Sequence, residues 1–168
     1  MNDGGGGQDC PDGRQMLDRI MASDLRYLMA VSYVVLANNQ ITNRFIERRH
    51  DMPVQAWSAL YAIAQFPGLR ARDIQVLFPR PQNTISRAVA LLVRRGHVRE
   101  DPLPDDARAK GLHPTAQGLA LLDRILEPVA ARQAELMSPL TRSEQEDFLA
   151  LCRKLAAGPL LTRSQVMG

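Results

Sequence analysis

The sequence lacks any run of about 18 consecutive apolar residues, the length that a membrane-spanning helix needs. Its first thirteen residues, MNDGGGGQDCPDG, are glycine-rich and acidic and contain no apolar core of the kind found in signal peptides. We therefore expect a cytoplasmic protein without a membrane partner.

Cysteine is also scarce. Two residues, Cys10 and Cys152, are too few for a disulfide framework. Cys10 lies in a segment predicted to be a disordered tail, where a peroxide-sensing thiol is the alternative. Cys152 lies on the apolar stripe of the predicted last helix, and we expect it to pack in a core.

The chain has no recognisable carrier of catalysis, since no nucleophile–base pair, glycine-rich phosphate loop or pair of carboxylates stands out. Of the histidines His50, His97 and His113, the last two would approach each other across a hairpin. Two histidines without a carboxylate or thiol cluster make a poor zinc site. We expect neither an enzyme nor a metal or other cofactor.

Aromatic residues make up 5% of the chain, and alternating apolar patterns are rare, which indicates a mainly helical protein. Residues 14–52 contain neither glycine nor proline and carry a helical stripe, with Asn38, Asn39 and Gln40 as the place of a kink or break. Helices are also predicted at residues 53–65, at 116–136 with Thr115 as N-cap, and at 142–157 with a capping box between Thr141 and Glu144.

Residues 70–95 contain two short amphipathic segments, 70–77 and 82–95, around a turn with two prolines. Gly96 is suited to end the second helix. The two apolar stripes can pack only if the helices cross, which turns a polar face with arginines outward on the second helix. This predicts a helix-turn-helix whose second helix enters the major groove of DNA.

A basic hairpin with predicted strands at residues 97–100 and 110–113 follows the second helix. The net positive charge of the chain lies in the segment that contains the helix-turn-helix and this hairpin. Residues 68–115 hold nine Lys and Arg against five Asp and Glu, a net charge of +4. Residues 1–67 hold six against seven, and residues 116–168 hold six against six. A DNA-binding surface has this distribution, whereas a merely solvated basic face is the alternative.

These segments together resemble the MarR family of bacterial transcriptional regulators. The resemblance covers about residues 20–157 and rests on the order and spacing of several short matches. The matching residues are Ile85-Ser86-Arg87, Leu92, Gly96, Asp106-Ala107-Arg108 and Thr115-Ala116-Gln117-Gly118.

The chain departs from the family pattern at three places. Glu100 stands where the family usually has arginine, with Arg99 one place earlier. Pro114 replaces the leucine before the threonine, and we expect it to shorten the last strand. Ala90 and Leu91 stand where relatives often carry charge.

The resemblance implies a mainly α fold with a small β-hairpin wing. A winged helix-turn-helix domain (53–115) lies between N-terminal (14–52) and C-terminal (116–158) dimerisation helices, with tails at 1–13 and 159–168. It also implies a homodimer on a pseudo-palindromic DNA site. One alternative is a winged-helix module that docks proteins without binding DNA. Another is an enzymatic interpretation, in which the chain is the dimerisation part of a methyltransferase-like protein; this would need a following βαβ domain.

Within this fold Arg87, with Thr84 and Ser86, is the best candidate for contact with base edges, against the alternative of a surface arginine paired with an acidic neighbour. Arg108 at the wing tip suits the minor groove, and the resemblance implies that Asp106 orients an arginine. The predicted DNA-binding residues are Arg70, Arg72, Arg80, Gln82, Asn83, Thr84, Ser86, Arg87, Arg94, Arg99, Asp106, Arg108 and Lys110.

The resemblance further implies a small aromatic or phenolic effector that releases a repressor from DNA. Four aromatic residues lie on segments that would border such a pocket, although aromatic residues at helical spacing more often pack in a core. They are Tyr27, Tyr33, Trp57 and Tyr61.

Overall fold

The computed structural model describes residues 12–78, 81–103 and 106–158, and the side chains of residues 106–108 lie outside the described part. The predicted fold class is confirmed, since the chain is mainly helical with one antiparallel hairpin. The elements are α1 (Gly13–Met21), α2 (Arg26–His50), α3 (Val54–Gln65), α4 (Ile74–Leu77), α5 (Gln82–Arg94), β1 (Val98–Leu103), β2 (Asp106–Pro114), α6 (Ala116–Met137) and α7 (Arg142–Ala156).

The chain divides into two compact units, Met1–Phe45 and Ile46–Gly168. In the first unit the helix break lies between α1 and α2, at residues 22–25, and α2 runs unbroken through residues 38–40. The expectation of a kink or break at Asn38–Gln40 was therefore wrong as to its place. Three polar residues of modest helix propensity cost little in a 25-residue helix without proline or glycine. Ser23, whose carbonyl accepts from the Arg26 amide at 3.0 Å, supplies the turn instead.

The core of the second unit is built around α3. Six residues of this helix are buried, which are Ala56, Ser58, Ala59, Leu60, Ala62 and Ile63. The alanines let other elements approach closely, and α3 contacts α4, α5, α6 and β2. The buried hydroxyl of Ser58 donates to the Val54 carbonyl at 2.7 Å, so this hydroxyl is paired within its own helix.

The helix-turn-helix is present, but its first helix is shorter than predicted. It covers only Ile74–Leu77, because residues 70–73 form a turn in which the Asp73 carboxylate accepts from the Arg70 amide at 2.9 Å. A short polar side chain that bonds to the backbone competes in this way with a helical turn. The second helix buries the predicted stripe of Ile85, Ala88, Val89 and Leu92.

The wing strands are longer than predicted. They pair from Val98 opposite Pro114 to Pro102 opposite Lys110, with an irregularity between Pro102 and Leu103. The expectation that Pro114 shortens the last strand was wrong, since Pro114 is paired. A two-stranded sheet consists of edge strands only, and an edge tolerates a residue without an N–H.

Thr115 joins the end of α5, the wing and the start of α6. Its amide donates to the His97 carbonyl at 3.0 Å, and its hydroxyl donates to the Gly96 carbonyl at 2.6 Å. The same hydroxyl accepts from the Gly118 amide at 3.0 Å, which confirms the predicted N-cap. Gly118 is buried against this junction, and a β-carbon there would lie 2.0 Å from the His97 carbonyl oxygen.

The capping box of α7 is confirmed: the Thr141 hydroxyl accepts from the Glu144 amide, and the Glu144 carboxylate accepts from the Thr141 amide. No residue of α7 is buried. The expectation that Cys152 packs in a core was therefore wrong for the chain by itself, since Cys152 is exposed. The apolar side of α7 has no covering element in the described part of the chain, and its large side chains Phe148, Leu149, Leu151 and Leu155 are exposed. None of the helices in the described ranges is long and apolar enough to cross a membrane.

We predict that Gly118→Ala destabilises the winged helix, because the new methyl group would overlap the His97 carbonyl that Thr115 uses as an acceptor. The expected loss is about 3 kcal/mol, or a fall of roughly 6–12 °C in the thermal midpoint. Thermal unfolding followed by circular dichroism measures it. Gly13→Ala is the matched control, since nothing lies within 4 Å of a β-carbon there. Equal midpoints for both variants would contradict the close approach of α6 to residue 97.

Candidate nucleic-acid interface

The face of α5 opposite its buried stripe is polar and open to solvent. The predicted residues Gln82, Asn83, Ser86, Arg87 and Arg94 are exposed, and Thr84 is half-buried. These side chains face solvent because the opposite side of α5 is held in the core by four buried residues, Ile85, Ala88, Val89 and Leu92. The structure therefore brings this group of predicted residues together on one surface.

The first turn of α5 has no side-chain cap. Pro81 is the N-cap residue, and its carbonyl accepts from the amides of Thr84 and Ile85. The amides of Gln82 and Asn83 come before those that bond within the helix, so they point out of its N-terminal end. Together with the positive end of the helix dipole, they favour a negative group such as a phosphate.

Arg87 has no carboxylate within ion-pair distance among the described residues, and the same holds for Arg94. Among the described residues, therefore, no acidic neighbour neutralises Arg87, as the alternative interpretation of this arginine would require. A shallow groove of about 220 Å³ lies beside Arg87, between the start of α3 at Pro53 and Gln55 and the side of α5 at Thr84 and Leu91. The guanidinium therefore stands at the edge of an open surface.

The basic residues of the wing are locally compensated. Lys110 pairs with Glu100 at 2.5 Å, and Arg99 pairs with Asp101. Exposed ion pairs of this kind contribute about 0–1 kcal/mol each, so a phosphate can replace the carboxylate at little cost. Glu100, which departs from the family pattern, thus holds the Lys110 side chain along the hairpin.

The remaining predicted residues fall into two groups. In the first, Arg72 is exposed and lies 3.8 Å from the Asp73 carboxylate, while Arg70 is half-buried at the turn before α4. In the second, Arg80 and the side chains of Asp106 and Arg108 lie outside the described residues. Their roles stay predictions from the sequence.

Arg95 was missed by the sequence interpretation. Its guanidinium donates to the Asp51 carbonyl at 2.6 Å and to the Asp51 carboxylate at 2.6 Å. Asp51 has a φ of +48°, a left-handed conformation that aspartate tolerates better than most residues. The signals in the sequence were an aspartate directly after a long helix and a second arginine directly before Gly96, but they are 44 residues apart and nothing in either pattern pairs them.

Two histidines near this junction have a pKa below the ordinary value for histidine. The pKa of His97 is lowered by burial, and further by the positive charges of Arg95 and Arg124. Burial likewise lowers the pKa of His50, with Arg124 and Arg49 adding to the effect. The buried Nδ1 atom of His97 has no hydrogen-bond partner in the described structure, which adds to the cost of charging this ring. Elsewhere, the hydrogen bonds from Thr141 lower the pKa of Glu144.

The four aromatic residues predicted to border an effector pocket do not lie in one compact unit. Tyr27 and Tyr33 are exposed on α2 in the first unit, and the Arg26 guanidinium lies 5.0 Å from the Tyr27 ring centre. Trp57 and Tyr61 are half-buried against the core of the second unit. The Trp57 Nε1 atom is buried and has no partner among the described residues. An effector site at these residues stays a prediction. Within the described ranges, no three His, Cys, Asp or Glu residues are grouped so that they could hold a metal ion.

Comparison with known proteins identifies similar chains. A family model described as MarR family matches residues 50–109. The transcriptional regulator HosA of Escherichia coli O111:H- is 27% identical over 116 residues, which are 69% of this chain and 86% of HosA. A putative transcriptional regulatory protein for the hcr operon of Thauera aromatica is 27% identical over 99 residues, or 59% of this chain and 60% of that protein.

Solved structures share the fold. A MarR-family transcriptional regulator from Silicibacter pomeroyi superposes with a TM-score of 0.72 at 22% identity, over 89% of this chain and 98% of that one. The PcaV transcriptional regulator from Streptomyces coelicolor, solved in complex with its natural ligand, has a TM-score of 0.63 at 21% identity, over 88% and 96% of the two chains. At these identities the structural likeness establishes the fold alone.

We predict that acidification lowers the free energy of unfolding through His50 and His97. Both have a folded-state pKa below the ordinary 6.5, so the unfolded chain takes up these protons first. The two neutral histidines make their full contribution to the free energy of unfolding above pH 6.5. This contribution is lost as the pH falls from 6.5 through the lower pKa values of the folded state. Urea unfolding between pH 7.5 and 5.5 measures the effect.

The double variant His50→Gln/His97→Gln is the control for this pH series. Its stability should decline less than that of the wild type between pH 7.5 and 5.5, since glutamine does not titrate. Parallel declines of the two proteins would contradict the assignment to these histidines.

Proposed function

We propose that this chain is a winged-helix transcriptional regulator of the MarR family that binds double-stranded DNA as a homodimer on a pseudo-palindromic operator. In this proposal α5 lies in the major groove, the wing reaches the adjacent minor groove, and the protein acts in the cytoplasm as a repressor released by a small aromatic effector. No cofactor is required.

The observation that carries this proposal is the guanidinium of Arg87, which is exposed on the outward face of α5 and has no carboxylate partner among the described residues. Arginine binds guanine O6 and N7 with two hydrogen bonds, a contact worth about 1–3 kcal/mol of discrimination between bases. Thr84 and Ser86 stand beside it for further base or phosphate contacts. The amides of the first turn of α5 supply a phosphate site that fixes the depth of the helix in the groove.

The wing and the residues around α4 supply the contacts that carry no sequence information. Arg99 and Lys110 exchange their carboxylate partners for phosphates, and Arg72 does the same. Arg70 and Arg80 add further phosphate contacts in this proposal. Arg108 at the wing tip enters the minor groove, whose negative potential attracts arginine, and Asp106 orients it. These contacts make binding depend on salt.

Exposed apolar helices support the homodimer. The helices α1 and α7 have no buried residue, and α2 buries only Ile46. Leu28 and Leu36 on α2, Leu25 just before it, and Leu151 and Leu155 on α7 are more than half exposed. Exposed apolar surface of this extent supports a protein partner. A second copy of the chain would present two recognition helices about one helical turn, or ~10 base pairs, apart.

A small-molecule effector is supported by the PcaV regulator, which shares the fold of this chain and was solved in complex with its natural ligand. The residues proposed for it remain Tyr27, Tyr33, Trp57 and Tyr61. Such a ligand would shift the spacing of the two recognition helices and so weaken operator binding.

We predict that Arg87→Ala weakens binding to the operator by about 1–3 kcal/mol per half-site, roughly fivefold to 150-fold for each, because it removes a bidentate base contact. Band-shift titration on the DNA upstream of the protein's own gene measures the affinity. Arg142→Ala on α7 is the matched control, since it removes an equally charged, exposed arginine that lies outside the proposed DNA-binding surface. Equal affinities for the two variants would rule out α5 as the helix that reads the DNA sequence.

The alternative function, a winged-helix module that docks proteins, makes a different prediction. The wild type would then bind no DNA at low salt but would bind a protein partner tightly.

We predict that Leu151→Glu combined with Leu155→Glu separates the dimer, because two charges would be buried between the apolar faces of α7. Sedimentation equilibrium should show the 18.7 kDa monomer in place of a particle of twice that mass. Operator affinity should fall by about a hundredfold or more, since one recognition helix buries too little surface for a specific site. Arg142→Glu on the same helix controls for the added charge. A variant that stays dimeric would place the interface elsewhere.

A further inference from the structure

The two adjacent arginines at the end of α5 have different surroundings. Arg94 is exposed and has no carboxylate partner among the described residues. Arg95 is only a third exposed and donates to both the carbonyl and the carboxylate of Asp51, each at 2.6 Å. One guanidinium therefore makes two charge-assisted hydrogen bonds to one residue, the geometry in which arginine differs most from lysine.

Asp51 stands at a turn of the backbone, and its side chain is 90% exposed. It lies between the end of α2 at His50 and the start of α3, whose N-cap is Pro53. Met52 beside it is completely buried. The left-handed φ of Asp51 turns the chain sharply between the two helices, and its carbonyl and carboxylate both face Arg95.

The apolar stripe of α5 does not by itself determine the position of the helix. Apolar contacts hold the buried face against α3, but they are not directional and permit small sliding and rotation. The Arg95–Asp51 bonds are directional and act at the last turn of the helix. Side chains that read base edges must be held within about 0.5 Å of the productive position, so a directional tie at this end matters for the contacts made by Arg87 and Ser86.

We propose that Arg95 is a positioning residue of the DNA-reading surface. Through Asp51 it holds α5 at the angle that specific binding requires, whereas Arg94 is left to contact phosphate. The inference rests on the proposed DNA-binding function and adds a division of roles between two neighbouring arginines. Arg95 thereby contributes to sequence specificity without touching DNA.

The test compares Arg95→Ala and Arg94→Ala on operator DNA and on a random duplex over a series of salt concentrations. For Arg95→Ala we expect about a tenfold loss of operator affinity, random-duplex affinity unchanged, and an unchanged slope of log affinity against log salt. For Arg94→Ala we expect both affinities to fall together and the slope to decrease by about 2, or about 1 for each subunit of the dimer.

Two further variants separate positioning from folding and from charge. Asp51→Gly removes the carboxylate but accepts a positive φ, so the fold is kept. We expect specificity to fall, but less than in Arg95→Ala, because the carbonyl of residue 51 still accepts from Arg95. Arg95→Lys keeps the charge but cannot make both bonds, and we expect it to recover only part of the specificity. Thermal unfolding of each variant establishes that the protein compared is folded.

Three outcomes would overturn the inference. A smaller salt slope in Arg95→Ala, with equal losses on both DNAs, would mean that Arg95 contacts phosphate directly. If Asp51→Gly leaves the ratio of operator affinity to random-duplex affinity unchanged, the Arg95–Asp51 pair only stabilises the fold. If Arg95→Lys recovers the full specificity, the positive charge of residue 95 is sufficient and the two-bond geometry has no role. If the wild type binds no DNA, the proposed function fails and this inference fails with it, whereas wild-type binding with any of the first three results overturns the inference alone.

Discussion

The winged helix depends on how the chain leaves α5 at residues 95–97. Arg95 bonds back to Asp51, and the carbonyls of Gly96 and His97 both accept from Thr115. Gly96 has a φ of +71°, which lets the chain reverse while its carbonyl stays available. Four elements meet at this turn, namely the end of α2, the end of α5, the start of β1 and the start of α6. Because each bond is directional, the recognition helix and the wing are held in one geometry, which apolar packing alone would leave looser.

In the proposed DNA complex, the distribution of free and compensated charge lets one surface combine sequence specificity with affinity. Arg87 and Arg94 have no carboxylate partner in the described structure, whereas Arg99 and Lys110 on the wing are paired with acidic neighbours. An unpaired guanidinium on a rigid helix is ready for a base edge without rearrangement. A paired cation on a hairpin is held along the strand and can exchange its partner for a phosphate at little cost. The net charge of the segment is modest, so its arrangement matters more than its magnitude.

The errors of the sequence interpretation have different physical origins. Asn38–Gln40 was expected to interrupt a helix and does not, because a long backbone ladder outweighs small losses in propensity. Residues 70–73 were expected to be helical, but the Asp73 side chain bonds to the Arg70 amide and holds a turn. Cys152 was expected in a core, but periodicity reveals only that a helix has an apolar side and not which chain covers it. The Arg95–Asp51 pair was missed because each residue is unremarkable in its local sequence.

Periodicity, turn residues and local charge by themselves determined the helical class, the recognition helix and its outward polar face, the N-cap at Thr115 and the capping box at Thr141. These features depend on interactions within a few residues, which a linear sequence displays directly. Tertiary structure alone decided the extent of the wing strands, the exclusion of a β-carbon at Gly118 by the His97 carbonyl, and the bond from Arg95 to Asp51. Such contacts join residues far apart in the chain, and their partners are chosen by the packing of whole elements.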